Sequence, residues 1–553
     1  MKALKVGLLV SSTFSDKYVY ELALWAKDRA NINISHLIVH PRPRDSKLGR
    51  LANRLLEQGP YILLSNILFR LIVSVEHLLL KLSRLHRDHY QIFDLRKLID
   101  DILIINPIVS KSGFVCRFST EDIEKIKALD FDLLIRCGSG IMRGDILHAS
   151  RFGIVSFYHG DNRINRGGPA GFWECYYGWP QTGFTIQRLT EELNAGDVLV
   201  RGSFATRYSY SLNQAHLYKK SNTHLKNLLN RIALTDGLPP AENTPNPYSN
   251  ILFRAPNPSQ SVAYGFKVLK RISIKILPRI LMLRARWGIS LLSGKWDKSV
   301  FWRSTEVKPP RGRFWADPFL YSRDGRTFCF VEDFVYKTNR AHISVLEILG
   351  TKAVEYGIAL KEPFHLSFPF LFQYKGELYM CPECFESGQI RIYRCTGLPL
   401  KWELQKVVME GVSAADTMLF EREGKWWMLT SLDESGIVDH CSELYLFSSD
   451  SPLDTNWTPH PQNPIRIDAC GGRNAGLVVD GEKLFRFAQR QGFDQYGQGL
   501  LVYEIKAISE SLFVEDLVSE INPTFRRGLR GTHHLSTDGK TTVIDHVSYS
   551  LIL

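Results

Sequence analysis

The sequence predicts an α/β doubly wound parallel sheet over residues 1–235, followed by an all-β five-bladed propeller over residues 300–553. Three observations support this fold class. Strand and helix patterns alternate in the first 40 residues, as they do in parallel sheets. After residue 299 the pattern changes to short strands separated by glycine turns. In that region a similar phrase recurs every 50–60 residues, which is the length of a four-stranded propeller blade.

The N-terminal sheet is predicted from short apolar runs. Residues 5–11 and 32–40 have the composition of buried strands, and residues 18–29 between them have the pattern of an amphipathic helix. Further strands are predicted at residues 102–105, 131–136 and 153–157. No G-x-G-x-x-G follows the first strand, so the sequence lacks the fingerprint of a dinucleotide-binding protein.

Two basic segments lie beside this sheet. Residues 41–95 are predicted as a helical insertion, and residues 236–299 as a linker followed by basic amphipathic helices. The insertion contains the apolar run 61–85, but Arg70 divides it. Crossing a bilayer takes about 20 predominantly apolar residues. Two interpretations of this run remain open, a helix packed on the protein or a helix lying on a membrane surface.

The net charge of +12 is concentrated in the same two segments. Residues 41–95 contain nine basic and five acidic residues, and residues 263–299 contain nine basic residues and one acidic residue. Because this charge lies on apolar, helix-like segments, it favours an anionic membrane surface as a partner and does not indicate nucleic acid.

The cysteine content and the first residues predict the compartment. Nine cysteines scattered over 553 residues do not form a disulfide framework. The first residues lack the apolar core and cleavage site of a signal peptide. We expect a cytoplasmic protein at the inner membrane surface, and the sequence does not predict its oligomeric state. Cys381 and Cys384 have no second ligand pair nearby, so no metal site is predicted.

Residues 131–201 contain an ordered set of motifs: His159, Arg166-Gly167-Gly168-Pro169, Thr182-Gly183-Phe184-Thr185-Ile186 and Asn194-Ala195-Gly196-Asp197. This segment resembles the folate-dependent formyltransferases that act on methionyl-tRNA and nucleotide sugars. The resemblance implies a formyl transfer in which the amine attacks a carbonyl carbon, an oxyanion forms and a base takes the amine proton. The cofactor that it implies is 10-formyltetrahydrofolate.

The resemblance assigns the candidate site of the N-terminal region. The catalytic candidates are His159, Asp161, Asn194 and Glu192. Phe157 and Asn194 occupy the positions where the family has an asparagine and an aspartate, so Asp161 or Glu192 is expected to supply the missing carboxylate. Substrate and cofactor contacts are expected from Arg163, Asn165, Arg166, Gly167, Gly168, Thr182 and Gly183.

The recurring phrase of the C-terminal region begins at Trp315, Ser367, Ala414, Arg473 and, in a weaker form, Gly531. These repeats resemble the N-terminal domain of the glucosamine inositolphosphorylceramide transferases. Because innermost propeller strands begin at the central channel, a funnel is predicted that contains Asp317, Glu332, Glu383, Asp416 and Arg473. Of the adjacent His533 and His534, at most one faces this funnel. Paired carboxylates are the groups that glycosidic bond cleavage requires.

Together the two resemblances imply an enzyme that moves a formyl group to an amine of an amino sugar in envelope glycan or polysaccharide biosynthesis. The expected substrate is an amino sugar or a lipid-linked glycan, which the propeller would hold. Two alternatives stay open because the catalytic set is altered. One is a catalytically inactive glycan-binding or scaffold protein. The other is a glycosyltransferase or glycan hydrolase that uses the propeller carboxylates.

Overall fold

The computed structural model describes residues 2–41, 47–110, 115–138, 140–191, 196–242 and 247–551. The chain divides into two compact units, Met1–Arg271 and Ile272–Leu553. The sequence predicts that the strand-rich region begins after residue 299. In the structure the second unit begins earlier, at Ile272, inside a helix.

The first unit alternates strands and helices. In chain order these are β1 (Leu4–Val10), β2 (Phe14–Asp16), α1 (Lys17–Lys27), β3 (Ile32–Val39), α2 (Lys47–Leu79), α3 (Arg84–His89), β4 (Ile92–Asp94), β5 (Asp101–Ile104), β6 (Ile108–Val109), β7 (Val115–Arg117), α4 (Thr120–Lys127), β8 (Leu133–Arg136), β9 (Ile141–Met142), β10 (Ile154–Tyr158), α5 (Phe172–Tyr177), β11 (Gln181–Arg188), β12 (Asp197–Ala205), α6 (Tyr210–Thr235) and α7 (Pro258–Ile280).

A seven-stranded sheet organises this unit in the order β12-β11-β10-β8-β1-β3-β5. The five strands from β10 to β5 pair in parallel. β11 and β12 extend the sheet in antiparallel fashion, so the sheet is mixed where a parallel one was predicted. The central strand β1 is almost fully buried, as expected for a strand with neighbours on both sides.

The insertion after β3 forms the long helix α2 and the short helix α3. One side of α2 packs on the unit. Glu76, 4% exposed, accepts hydrogen bonds from the Ser211 amide at 3.0 Å and from the Tyr264 hydroxyl, and Phe69 packs edge-on against Phe172. Within the part of the chain that the structure describes, no helix is long and apolar enough to cross a membrane.

The second unit is built from antiparallel strands. They are β13 (Leu283–Ser293), β14 (Thr305–Val307), β15 (Arg313–Arg323), β16 (Arg326–Val335), β17 (Arg340–Leu349), β18 (Lys352–Leu360), β19 (Ser367–Tyr374), β20 (Glu377–Glu383), β21 (Gln389–Gly397), β22 (Lys401–Glu410), β23 (Ala414–Arg422), β24 (Lys425–Leu432), β25 (Glu443–Ser449), β26 (Thr458–Pro459), β27 (Arg466–Ile467), β28 (Asn474–Asp480), β29 (Lys483–Gly492), β30 (Gln495–Ile508), β31 (Phe513–Ile521), β32 (Leu529–Gly531), β33 (Leu535–Thr537) and β34 (Thr541–Leu551).

These strands form five sheets, which are the five predicted blades. Four blades are continuous in sequence, β15 to β18, β19 to β22, β23 to β27 and β28 to β31. Their first strands, together with β33 of the last sheet, contact one another in a closed ring. This is the arrangement of a five-bladed propeller. Because the last blade packs against the first, the ring has no open side between them.

The last blade combines two distant parts of the chain. β13 and β14 pair with β34, and β13 matches β34 from Leu283 to Ser293 without interruption. Residues 263–299 were predicted as basic amphipathic helices, and this prediction is wrong for β13. The strand was not recognised in the sequence because Arg284 and Arg286 interrupt the apolar residues of its first half.

The first strands of four blades share a local irregularity. Pairing with the second strand shifts at Ala316/Phe319, Ser367/Phe370, Ala415/Met418 and Asn474/Gly476. At this point the chain takes a positive φ, 47° at Asp317, 44° at Phe368, 49° at Asp416 and 127° at Gly476. Such bulges re-aim side chains, and two of the predicted funnel residues are bulge residues.

Candidate functional site

Of the catalytic candidates predicted in the N-terminal region, the structure describes His159 and Asp161. His159 follows the end of β10 and stacks on Tyr218 at 3.6 Å and on Phe157 at 4.8 Å between ring centroids. Burial, with a smaller contribution from His89, lowers the pKa of His159 to about 3. Its Nε2 atom is buried without a hydrogen-bond partner. A neutral imidazole enclosed by aromatic rings is a packing group and a weak base.

Asp161 does not orient His159, contrary to the sequence prediction. Its carboxylate accepts hydrogen bonds from Arg163 Nη2 at 2.6 Å and from Arg201 Nη1 at 2.7 Å. Burial alone would raise the pKa of Asp161, but Arg163 and Arg201 hold it below its usual value. Arg163 is thereby engaged in an ion pair. Glu192 and Asn194, the other two catalytic candidates, lie outside the described residues.

The Arg-Gly-Gly-Pro loop is covered by residues that the sequence assigned to the linker. The guanidinium of Arg166 lies 4.7 Å from the ring centroid of Tyr248, and the Gly168 amide donates to the Phe253 carbonyl at 3.2 Å. A Cβ atom on Gly167 would come within 1.7 Å of the same carbonyl oxygen. This loop is therefore a packing contact inside the first unit.

The remaining predicted contacts are also internal. Asn165 is buried, and its Oδ1 accepts from the Gly167 amide at 2.7 Å. Thr182 Oγ1 lies 2.9 Å from Thr206 Oγ1 and accepts from Asn213 Nδ2 at 2.9 Å. A Cβ atom on Gly183 would meet the Asp161 Cβ at 2.7 Å. The motifs that carry the resemblance thus have local structural roles.

In the second unit the predicted residues do come together. Arg473 donates from Nε to Asp416 Oδ2 at 2.6 Å and from Nη2 to Glu383 Oε2 at 3.0 Å. Gln489 Nε2 also donates to Asp416 Oδ2, at 3.0 Å. All three charged side chains are buried, with 1% of Asp416, 7% of Glu383 and 13% of Arg473 exposed.

Charge is distributed unevenly across this group. Burial raises the pKa of the Glu383 carboxyl well above its usual value, in spite of Arg473. Burial acts on Asp416 in the same direction, but Arg473 holds the pKa of that carboxyl below its usual value. Glu383 therefore retains its proton more readily than a free carboxyl and Asp416 loses its proton more readily, so the two neighbouring carboxyls are pushed toward different protonation states.

Asp317 belongs to a second group beside the first. His533 Nε2 lies 3.7 Å from Asp317 Oδ1, and His533 Nδ1 lies 2.5 Å from Asp545 Oδ2. Burial alone would lower the pKa of His533, but Asp545 and Asp317 raise it to about 9. Burial raises the pKa of Asp317 well above its usual value, and His533 opposes that shift. His533 is the member of the histidine pair that contacts the funnel acids.

Glu332 differs from the other predicted funnel residues because it pairs with His365, whose Nε2 lies 3.2 Å from Glu332 Oε1. Burial alone would lower the pKa of His365, and the hydrogen bond to Glu332 raises it overall. Asp317 still experiences the charge of Glu332, so the two acids are electrostatic neighbours.

Aromatic residues that the sequence analysis missed complete this region. The Arg473 guanidinium lies 5.3 Å from the ring centroid of Tyr496, which is 42% exposed. Trp287 of β13 stacks on His533 at 3.9 Å. Trp287 was not predicted because its strand was assigned to a helix. Asp545 was not predicted because only the pairing of β34 with β13 brings it to the centre of the propeller. Partly exposed aromatic rings beside charged groups are suited to sugar rings.

Comparison with known proteins gives a match to this unit. Residues 303–534 match the family model described as "Glucosamine inositolphosphorylceramide transferase 1, N-terminal". Glucosamine inositolphosphorylceramide transferase 1 of Arabidopsis thaliana is 37% identical over 209 residues, and that of Oryza sativa subsp. japonica is 37% identical over 207 residues. Each match covers 36% of this chain and 27% of the relative, so the chain spans about a quarter of the length of these proteins.

Solved structures show weaker similarity. The family 117 glycoside hydrolase Zg3597 of Zobellia galactanivorans has a TM-score of 0.31 at 12% identity, over 48% of this chain and 91% of that protein. The GH62 α-L-arabinofuranosidase of Coprinopsis cinerea has 0.34 at 13%, over 47% and 96%. Glycinamide ribonucleotide transformylase 1 of Symbiobacterium toebii has 0.26 at 12%, over 42% and 89%. Scores this low support no conclusion about function.

The predicted formyl transfer is wrong. The matched relatives are named as transferases of another kind, and the residues expected to catalyse the formyl step are either engaged in packing and ion pairs or lie outside the described residues. The folate cofactor and the cytoplasmic location stay predictions from the sequence. The comparisons establish instead that the C-terminal part of the chain is similar to the N-terminal domain of glucosamine inositolphosphorylceramide transferase 1.

Proposed function

We propose that this protein takes part in glycosyl transfer to a lipid-linked glycan, and that the second unit holds the sugar headgroup at its acid cluster. The observation that carries this proposal is the Arg473 guanidinium between the carboxyls of Glu383 and Asp416, with the exposed ring of Tyr496 beside it. The names of the matched relatives supply the substrate class, glucosamine and inositolphosphorylceramide.

Each group has a chemical role in this proposal. Asp416, fixed by Arg473 and Gln489, accepts hydrogen bonds from sugar hydroxyls. In the proposed transfer the bond between the anomeric carbon of the donor sugar and its leaving oxygen breaks as the acceptor hydroxyl forms the new glycosidic bond. Glu383 donates a proton to the leaving oxygen and Asp416 accepts the proton of the hydroxyl, which is general acid–base catalysis. Tyr496 packs on the apolar face of a sugar ring. Asp317, whose pKa is raised by burial, lies beside His533 at the same centre.

A transfer assay with two matched variants tests the proposal. Vesicles containing inositolphosphorylceramide are incubated with the full chain and a nucleotide-linked glucosamine, and the lipid is analysed by mass spectrometry for an added hexosamine. Glu383→Gln keeps the volume of the side chain but removes its acid, so the rate should fall by roughly 10²–10⁴. Glu377→Gln, at the exposed opposite end of β20, is the control and should match the wild type.

Two results would contradict the proposal: no added hexosamine with the wild-type chain, or equal rates for the two variants. The same incubation reports on a second candidate, hydrolysis of a glycosidic bond by the same carboxyls. That candidate is favoured by the neighbouring carboxyls of Glu383 and Asp416, whose pKa shifts have opposite signs, because glycosidases use two carboxyls. An aryl glucosaminide added to the incubation supplies the glycosidic bond, and release of its free sugar would identify hydrolysis.

A further inference from the structure

Helices α2 and α7 of the first unit expose an apolar surface that the proposed function does not use. In α2 the exposed residues repeat at intervals of three and four, so they lie on one side of the helix. In α7 the interval is the same. We call these eight residues the apolar face: Leu64, Ile67, Leu71, Val75, Leu78, Val262, Phe266 and Leu269. Each is between 44% and 68% exposed.

The two helices are fixed to one another. Glu76 of α2 accepts a hydrogen bond from the Tyr264 hydroxyl of α7, and a Cβ atom on Gly265 would lie 3.8 Å from the Ile72 Cδ1. The opposite side of α7 is tied down by Lys267, which donates to the Tyr176 carbonyl at 2.8 Å. These contacts hold both helices against the unit by their buried sides and leave the exposed sides as one surface.

The exposed charges near the apolar face are predominantly basic: Arg70, Lys81, Arg84, Arg87 and Lys270. Asp88, next in sequence, pairs with Arg84 at 3.9 Å and with Lys17 at 2.8 Å. Between residues 60 and 87 the only acidic residue is Glu76, which is buried, and residues 258–271 contain none. A surface with many apolar side chains and a basic surround is complementary to the headgroup region of an anionic bilayer.

We infer that the first unit docks on an anionic membrane through the apolar face, with these basic residues at the lipid phosphates. The helices lie along the membrane surface, with their apolar side chains at the boundary between headgroups and acyl chains. This inference is independent of the sugar chemistry of the second unit.

Sedimentation with vesicles tests the inference. The full chain is mixed with phosphatidylcholine vesicles, or with vesicles of phosphatidylcholine and phosphatidylglycerol. Neither contains a glycosylated lipid, so the result does not depend on the proposed transfer. We expect binding to the anionic vesicles at least tenfold tighter than to the neutral ones, weakened by salt.

Variants at exposed positions identify the surface. Leu71→Glu combined with Val75→Glu should lower binding to anionic vesicles at least tenfold, because two charges would enter the apolar layer. Lys81→Gln and Arg87→Gln should each lower it about fivefold. Leu234→Glu, on α6 and 68% exposed, is the matched control and should bind as the wild type does. Circular dichroism confirms that each variant is folded.

Three outcomes would overturn the inference. The first is no binding to either vesicle, and the second is equal binding to both, which would remove the role of the basic residues. The third is a dimer in analytical ultracentrifugation that Leu71→Glu with Val75→Glu dissociates, because the apolar face would then be covered by a second copy of the chain.

Discussion

Each unit places an ion-pair network at the ends of its central strands. In the first unit the central group is a carboxylate, and in the second unit it is a guanidinium. In the first unit one carboxylate, Asp161, faces two guanidinium groups, those of Arg163 and Arg201. In the second unit one guanidinium, that of Arg473, faces Glu383 and Asp416. In spite of burial, Arg163 and Arg201 lower the pKa of Asp161, whereas burial raises the pKa of Glu383 in spite of Arg473. The second arrangement therefore places a carboxyl of raised pKa beside Asp416, a carboxyl of lowered pKa.

The largest expected effect comes from removing the central guanidinium of each network. Arg473→Met leaves the buried Asp416 without its ion pair, so the free energy of unfolding should fall by about 3–5 kcal/mol. Arg201→Met, at a side chain of similar exposure, should cost only about 1 kcal/mol, because Asp161 keeps Arg163 and Glu242 is 41% exposed. Urea unfolding measures both. Equal losses in the free energy of unfolding would mean that the two guanidinium groups contribute equally to stability.

The pH dependence of stability should have opposite signs at the two buried histidines. The pKa of His533 is raised to about 9, so the stability it contributes is complete below about pH 6.5, its ordinary value, and is lost as pH rises through about 9. The pKa of His159 is lowered to about 3, so its contribution is present above about pH 6.5 and is lost as pH falls toward 3.

Urea unfolding between pH 5 and pH 9 separates these two effects. His533→Gln should remove most of an alkaline loss of about 3 kcal/mol, whereas His159→Gln should reduce the acid loss and leave the alkaline one. If His533→Gln retains the alkaline slope, the ion pair with Asp545 does not raise the pKa of this imidazole.

These histidines also show what the sequence could and could not predict. The acid cluster was predictable in part, because the repeats fix where each innermost strand starts, and Asp317 and Asp416 follow from that position. Glu383 lies at the end of the second strand of its blade, opposite Ser367, where antiparallel pairing returns the chain to the same edge. The ring stacked on His159 was not predictable, because Tyr218 lies 59 positions away on α6 and no motif connects the two. The pairing of Glu332 with His365 was not predictable for a similar reason, since His365 belongs to the loop before the next blade.

A smaller effect is expected at the glycine loop of the first unit. Gly167→Ala should lower the free energy of unfolding by about 2 kcal/mol, because the added methyl group meets the Phe253 carbonyl. The neighbouring Gly168→Ala is the control, since a Cβ atom there would lie 3.9 Å from the nearest atom, the Ala170 amide nitrogen, and it should cost well below about 1 kcal/mol. Thermal unfolding of the two variants measures the difference. An unchanged free energy of unfolding in Gly167→Ala would show that the segment around Phe253 moves to accommodate the methyl group and does not fix the loop.

The smallest effect is expected for His159 in catalysis. If this residue only packs, His159→Gln should change the rate of hexosamine transfer to lipid less than twofold, while Glu383→Gln abolishes most of it. A loss of transfer rate of similar size in both variants would show that the first unit takes part in the reaction, and that the two units do not differ in this respect.

The pairing of β13 with β34 has a consequence for biosynthesis. β13 leaves the ribosome about 250 residues before its partner does, which at 5–20 residues per second is roughly 10–50 s. During that time the 11-residue strand β13, which contains Trp287, has only the three-residue strand β14 beside it, and the edge that will pair with β34 is open. Unpaired strands of this kind recruit other chains. Slow translation, or loss of the final strand, should therefore cause aggregation of the nascent chain. This aggregation should appear before any effect on a site of the folded protein.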